Sequence, residues 1–202
     1  MLRSRVFLGG QAVSLLGDGL AVLVIPLMVL QLTRNPLTAA LASATRSVGY
    51  LAVGIPAGLL TDRFDPWRVM VAADVIRALV FAALFGLAGL HAVSVGLLLV
   101  LAFVAGGATV FFETALAIIV QDLYAGPRLV PANSWLESAN QGGQVIGPAI
   151  VAMLAAVGLL PVALLADALT FAVSLASLAA IRRGYRKAPK PGRPSASWRT
   201  WA

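Results

Sequence analysis

Long apolar stretches, separated by short polar or charged breaks, run along most of the chain. They cover about residues 6–32, 37–61, 69–90, 92–120, 131–157 and 159–181. Each has room for the ~20 residues with which a helix crosses a hydrocarbon core about 30 Å thick. Because the breaks are short and contain Pro, Gly or charged residues, neighbouring stretches should pack antiparallel. The pattern predicts an all-α, polytopic membrane protein with six transmembrane helices.

Composition points to the same class. The chain is 60% hydrophobic and 11% charged, with a mean hydropathy of +0.92. That is too little polar surface to cover a soluble globule. The absence of cysteine and the single histidine, His91, exclude disulfide frameworks, thiolate nucleophiles and histidine metal clusters. Since no phosphate-cradling loop or catalytic carboxylate arrangement is evident either, we expect no enzyme activity, metal or cofactor.

Positive charge is distributed unevenly between the two sides of a six-helix path. Only Arg34 falls on one side, whereas the other basic residues at helix ends fall on the opposite side. This asymmetry predicts an integral protein of the plasma (inner) membrane with both termini cytoplasmic. The basic residues that give the net charge of +7 do not form one helix face that could contact nucleic acid, so no nucleic-acid partner is expected. The cytoplasmic set is Arg3, Arg5, Arg63, Arg68, Arg128, Arg182, Arg183, Arg186, Lys187, Lys190, Arg193 and Arg199.

A charged motif separates the second and third stretches: Gly58-Leu59-Leu60-Thr61-Asp62-Arg63-Phe64-Asp65-Pro66-Trp67-Arg68. It resembles the signature loop between the second and third helices of the major facilitator superfamily of secondary transporters, with Asp65 and Trp67 where that pattern has Gly and Arg. Carboxylates and guanidiniums beside a helix end can hold one conformation and release another. The loop is therefore predicted to be a conformational latch, and a solvated turn that only sets topology is the alternative. The latch residues of the loop are Gly58, Asp62, Arg63 and Arg68.

Asp74 and Arg77 lie one helical turn apart in the third stretch, close to this loop. We expect both to join the latch as a cytoplasmic charge cluster with its carboxylate and arginines. An isolated local pair is the alternative.

The fifth stretch carries a second resemblance. Its segment Leu129-Val130-Pro131-Ala132-Asn133-Ser134-Trp135-Leu136-Glu137-Ser138-Ala139-Asn140, ending in Gly147-Pro148-Ala149, looks like the corresponding helix of the drug, macrolide and siderophore efflux branch of the superfamily. Four polar residues of the fifth stretch, separated by four, three and four positions, form a stripe along one face of the helix. Because lipid would not tolerate such a stripe, it must line a cavity or a helix contact. Its members are Asn133, Glu137, Asn140 and Gln144. Close approach and a helix bend are predicted at Gly143, Gly147 and Pro148.

Polar groups also occur in the middle of the first two stretches. A charged group at this depth costs about 3 kcal/mol on insertion scales, so Asp18 should face the bundle interior and pair with Arg46. That pair is either structural, or Asp18 exchanges a proton during transport. For Asp167 in the sixth stretch, pairing with a neighbour is the alternative to ligand contact. The predicted substrate and proton pathway comprises Gln11, Asp18, Arg46, Glu113, Glu137, Asn140, Gln144 and Asp167.

The resemblance implies two inverted three-helix repeats, which form half of a twelve-helix fold with the substrate cavity between its halves. Residues 1–183 would be this six-helix domain, and residues 184–202 a basic, Pro-rich cytoplasmic linker. A polar cavity face cannot be left to lipid, so we expect a missing C-terminal half or a second copy as partner. The chain would then be a fragment, a truncated product or a half-transporter.

The implied activity is proton-coupled efflux of small amphipathic molecules, of the drug, macrolide or siderophore class, by alternating access. Such a protein would be an antiporter whose partners are the lipid bilayer, the small-molecule substrate and protons. The alternative is a membrane remnant or structural half that does not transport.

Overall fold

The computed structural model describes residues 2–90, 92–124 and 126–182, apart from the side chains of residues 2–4, 55, 59 and 62. In this part of the chain, six α-helices and one 3-10 turn, Gly126–Arg128, follow one another. The predicted linker 184–202 lies outside the described residues. The helices are α1 (Leu2–Thr33), α2 (Pro36–Arg63), α3 (Pro66–Gly89), α4 (Val95–Leu123), α5 (Leu129–Ala156) and α6 (Leu160–Ile181).

Side-chain caps fix where three of these helices begin. The side chains of Asn35, Asp65 and Ser94 accept hydrogen bonds from backbone N–H groups in the first turns of α2, α3 and α4. Pro36 and Pro66 follow two of these caps, where a missing N–H costs nothing. Asp65, which stands where the resembled loop has Gly, is therefore the N-cap of α3.

Among the described residues, four helices are long and apolar enough to cross a membrane: Arg5–Thr33 of α1, then α3, α4 and α6. The helices α2 and α5 have 28 residues each but carry Arg46 and the polar stripe, which lower their hydropathy. Both pack lengthwise against a membrane helix, α2 on α4 and α5 on α1. The prediction of an all-α, polytopic membrane domain is confirmed.

The six helices form two equivalent triplets. The helix α1 packs mainly on α5 and α6, and α4 packs mainly on α2 and α3. If α1, α2 and α3 exchange places with α4, α5 and α6, in that order, the contacts of α1 become those of α4. The contact between α3 and α6 is unchanged by this exchange. Because α1 and α4 run in opposite directions in an alternating bundle, the triplets are inverted repeats, as predicted.

Glycines bring two helix pairs together at backbone distance. A Cβ atom on Gly19 of α1 would collide with the backbone of Gly143 of α5, and one on Gly147 would collide with Gly19. A Cβ on Gly106 of α4 would likewise meet the backbone carbonyl of Arg46 in α2. Small residues permit this approach, which membrane helices use in place of a hydrophobic driving force. The helix α5 continues through Pro148, where a bend stays a prediction.

Two apolar clusters fill the bundle. One contains Val24, Phe81 and Leu98, and the other contains Phe7, Phe112 and Leu178. Buried polar side chains from α1, α3 and α6 interrupt this apolar packing, and each of them is at most 6% exposed. We call this set the Arg77 cluster; it comprises Gln11, Ser14, Asp18, Asp74, Arg77, Asp167 and Ser174.

Candidate functional site

A cavity of about 850 Å³ opens between α4 and α5, toward the ends of these helices that residues 124–128 connect. Its wall is mixed: the side chains of Glu113, Glu137 and Asn140 face apolar groups that include Leu15 and Leu116. A recess of about 380 Å³ shares Tyr50 and Glu113 with it and adds Arg46 and Gln144. We call the two together the central cavity.

A hydrogen bond between α2 and α4 lies where the two parts of the central cavity meet. The Tyr50 hydroxyl donates to Glu113 Oε2 at 2.7 Å. Arg46, one turn before Tyr50 on α2, lines the recess together with Glu113. An acid, a phenol and a guanidinium therefore face one space, which suits a ligand with both a charged or polar group and an apolar body.

The polar stripe of α5 faces the central cavity. Asn133, Glu137 and Asn140 line its larger part, and Gln144 lines the recess. Glu137 also accepts a hydrogen bond of 2.6 Å from Gln141 Nε2 on the same helix. Of the predicted pathway, the structure brings together five residues here: Arg46, Glu113, Glu137, Asn140 and Gln144.

The predicted ion pair between Asp18 and Arg46 is wrong. Asp18 Oδ2 instead accepts a hydrogen bond of 2.9 Å from Arg77 Nη1 on α3. The physical reason is helix packing: α3 lies against α6, which lies against α1, while the Arg46 backbone is held against α4 and its side chain lines the cavity.

Asp74 and Arg77 pair inside the bundle, and their predicted part in the loop latch stays a prediction. Both side chains are fully buried and pair with each other through Asp74 Oδ1 and Arg77 Nη2. In the loop, Arg68 Nε lies 3.9 Å from Asp65 Oδ2 in a largely exposed pair. Arg63 is exposed and Gly58 has open space around it, while the side chain of Asp62 lies outside the described residues. A latch formed by the loop alone stays a prediction.

Two aromatic rings pack against the Arg77 guanidinium. Its Cζ atom lies 3.8 Å from the centre of the Phe112 ring and 4.4 Å from that of Phe171. Stacking between two rings adds cation–π attraction to the ion pairs with Asp18 and Asp74. The sequence showed these carboxylates and Arg77 but not that α3 would bring them together.

Ser174 connects Asp74 to α1. Its hydroxyl lies 2.9 Å from Gln11 Oε1 and 2.5 Å from Asp74 Oδ2, both of which are acceptors. Gln11 Nε2 donates to Ser177 Oγ at 2.8 Å, which turns Gln11 Oε1 toward Ser174. A hydroxyl has one hydrogen, so Ser174 can donate to only one of these two acceptors at a time.

Gln11 and Asp167 do not line the central cavity. Both are fully buried between helices, and Asp18 is only 6% exposed. Asp167 Oδ1 lies 3.4 Å from the Thr170 hydroxyl, and Asp167 Oδ2 has no hydrogen-bond partner among the described residues. The predicted pathway therefore divides into a cavity group and a buried group.

The family model of the Major Facilitator Superfamily matches residues 7–202 of the chain. The chain belongs to the major facilitator superfamily. It is therefore an integral membrane protein of a transporter family, and the recognition made from the loop and the fifth helix is confirmed.

The relatives are efflux proteins. The chain is 25% identical over 173 residues to Macrolide efflux protein A of Streptococcus pyogenes, covering 86% of this chain and 43% of that protein. It is 30% identical over 149 residues to Multidrug efflux pump Tap of Mycolicibacterium fortuitum, covering 69% of this chain and 36% of that pump. The chain thus spans less than half the length of these curated relatives. No solved structure matches it.

The contact between Tyr50 and Glu113 leads to a first prediction. Tyr50→Phe and Glu113→Ala should each lower the free energy of unfolding, and the double variant should lose about 1 kcal/mol less than the sum, because both singles break the same hydrogen bond. Unfolding of the purified protein in detergent measures this double-mutant cycle. Losses that simply add would show that the contact does not contribute to stability.

Proposed function

We propose that the protein exports small amphipathic molecules by alternating access, with protons as the coupling ion. The observation that carries this proposal is the central cavity, where Glu113 and Glu137 face an apolar wall. Such a wall receives the apolar body of a ligand, while the carboxylates and amides orient its polar end. The efflux activity named for both relatives supports the direction of transport.

A second six-helix unit would complete the cavity. Its polar lining belongs to α2, α4 and α5, and the larger part opens widely along α5. In hydrocarbon, unsatisfied polar groups on this face would be costly, so another protein surface must cover it. We propose that either a C-terminal half or a second copy of this domain covers it, as in transporters built from repeats.

Glu113 is our candidate for the residue that couples the ligand to protons in the cavity. It combines a carboxylate, a phenol that donates to it at 2.7 Å and a nearby arginine. A carboxylate can release a proton when a ligand arrives and take one up when the ligand leaves. Residues of this kind inside a membrane domain commonly mark ion pathways.

An efflux assay tests the proposal. In cells that lack other exporters and express the complete gene, Glu113→Gln should reduce pH-driven efflux of a macrolide or of ethidium at least ~10-fold, which corresponds to ~1.4 kcal/mol. Asp122→Asn is the matched control, because Asp122 lies on the same helix outside the cavity lining. Equal efflux by wild type and Glu113→Gln would contradict the role of this residue. A wild-type protein that is folded and abundant but exports nothing would favour the non-transporting alternative.

A further inference from the structure

We propose that the Arg77 cluster is a buried proton-binding site in which Asp167 carries the proton. The site lies between α1, α3 and α6 and is separate from the central cavity. Its existence follows from the charges and hydrogen-bonding atoms in the cluster. Only its role in transport rests on the proposed function.

The cluster holds one guanidinium, that of Arg77, and three buried carboxyls, those of Asp18, Asp74 and Asp167. Asp18 and Asp74 contact the guanidinium directly, but Asp167 forms no ion pair with any described residue. An unpaired carboxylate is very costly to bury, whereas a neutral carboxyl is not. A proton on Asp167 removes this cost.

Unpartnered atoms in the described part of the chain point to the same place. Three buried side-chain atoms there have no hydrogen-bond partner: Ser14 Oγ, Arg77 Nε and Asp167 Oδ2. All three belong to the Arg77 cluster, although buried polar atoms are normally satisfied. A metal cation would be repelled by the positive charge of the Arg77 guanidinium, so the site suits a proton better.

Asp18 is the one carboxyl of the cluster that is not completely buried, with 6% of its surface exposed. Its charge acts on Glu113 of the cavity and on Asp167 of the cluster. The other charged groups that act on Asp167 are Arg77 and, from α2, Arg46.

When the site loads, a carboxylate oxygen of Asp167 gains a proton, and when it unloads that proton leaves to water, so the charge of the cluster changes by one unit.

Infrared spectroscopy of the purified full-length protein tests the site without any transport. Near neutral pH the wild type should show the C=O stretch of a protonated aspartate, identified by its shift when the protein carries carboxyl-labelled ¹³C-aspartate, and Asp167→Asn should lose that band. Glu137→Gln, a carboxyl of the cavity, is the matched control and should keep it. If Asp167→Asn does not fold, Asp167→Glu should replace the aspartate band by one that does not shift on labelling. An aspartate band that survives in either variant, or that is missing from the wild type, would overturn the proposal.

Two further outcomes separate the alternatives. Stabilisation of the wild type by Na⁺ relative to choline, lost in Asp167→Asn, would mean a metal-ion site and would also overturn the proposal. In proteoliposomes, Asp167→Asn should keep substrate exchange but lose at least ~10-fold of the accumulation driven by a pH gradient. Undiminished accumulation would refute the coupling role. If the wild type transports nothing, the proposed function fails, while the infrared band still decides whether the proton site exists.

Discussion

Replacing Arg77 by Met should lower the free energy of unfolding by about 3–5 kcal/mol, the range measured when one partner of a buried ion pair is removed. The reason is that Asp18 and Asp74 lose their common partner while staying buried between helices. The stacking contacts with Phe112 and Phe171 are lost as well. Unfolding by heat or denaturant in detergent, with the yield of monodisperse protein, measures the effect.

Two companion variants show whether charge is the cause. The triple variant Asp18→Asn, Asp74→Asn, Arg77→Met removes the whole ion cluster and should recover most of the lost stability, because replacing all partners is often nearly neutral. Arg77→Lys keeps the charge but cannot donate to both carboxylates from one planar group, so it should be intermediate. A triple variant no more stable than Arg77→Met would show that side-chain packing, not charge, explains the loss.

Gly19→Leu should be the second most damaging change. A Cβ at this position collides with the backbone of Gly143, which cannot move aside as a flexible side chain can. Overpacking of this kind typically costs about 1–3 kcal/mol and would separate α1 from α5. The unfolding midpoint and the efflux rate of the intact protein should both fall.

Gly86→Leu is the matched control for this change. Gly86 is also inside a helix, α3, but has nothing within 4 Å of the position of an added Cβ. Since both substitutions raise helix propensity equally, any difference in stability between the two variants measures the effect of the contact between Gly19 and Gly143. Equal stability of the two variants would contradict the close approach of α1 and α5.

The positions of the helices and of the α5 stripe were predictable from the sequence, whereas the ion-pair partners were not. Periodicity places Glu137, Asn140 and Gln144 on one face, and lipid cannot cover such a face, so the cavity follows. Arg46 and Arg77 both lie inside the membrane domain, and each was a possible partner for Asp18. Choosing between them requires knowing which helix lies beside α1 and at what rotation, and hydropathy does not contain that information.

The glycine contacts also determine which parts of the protein can vary. Since α1 with α5, and α2 with α4, touch at the backbone, each pair tolerates little change in side-chain size along its contact. The helices α4 and α5 have few contacts with each other, and the space between them is wide. Substitutions in the space between α4 and α5 can alter which molecules fit without disturbing the close packing of α1 on α5 and of α2 on α4. Selectivity can thus diverge among descendants of this protein while the architecture of the bundle is retained.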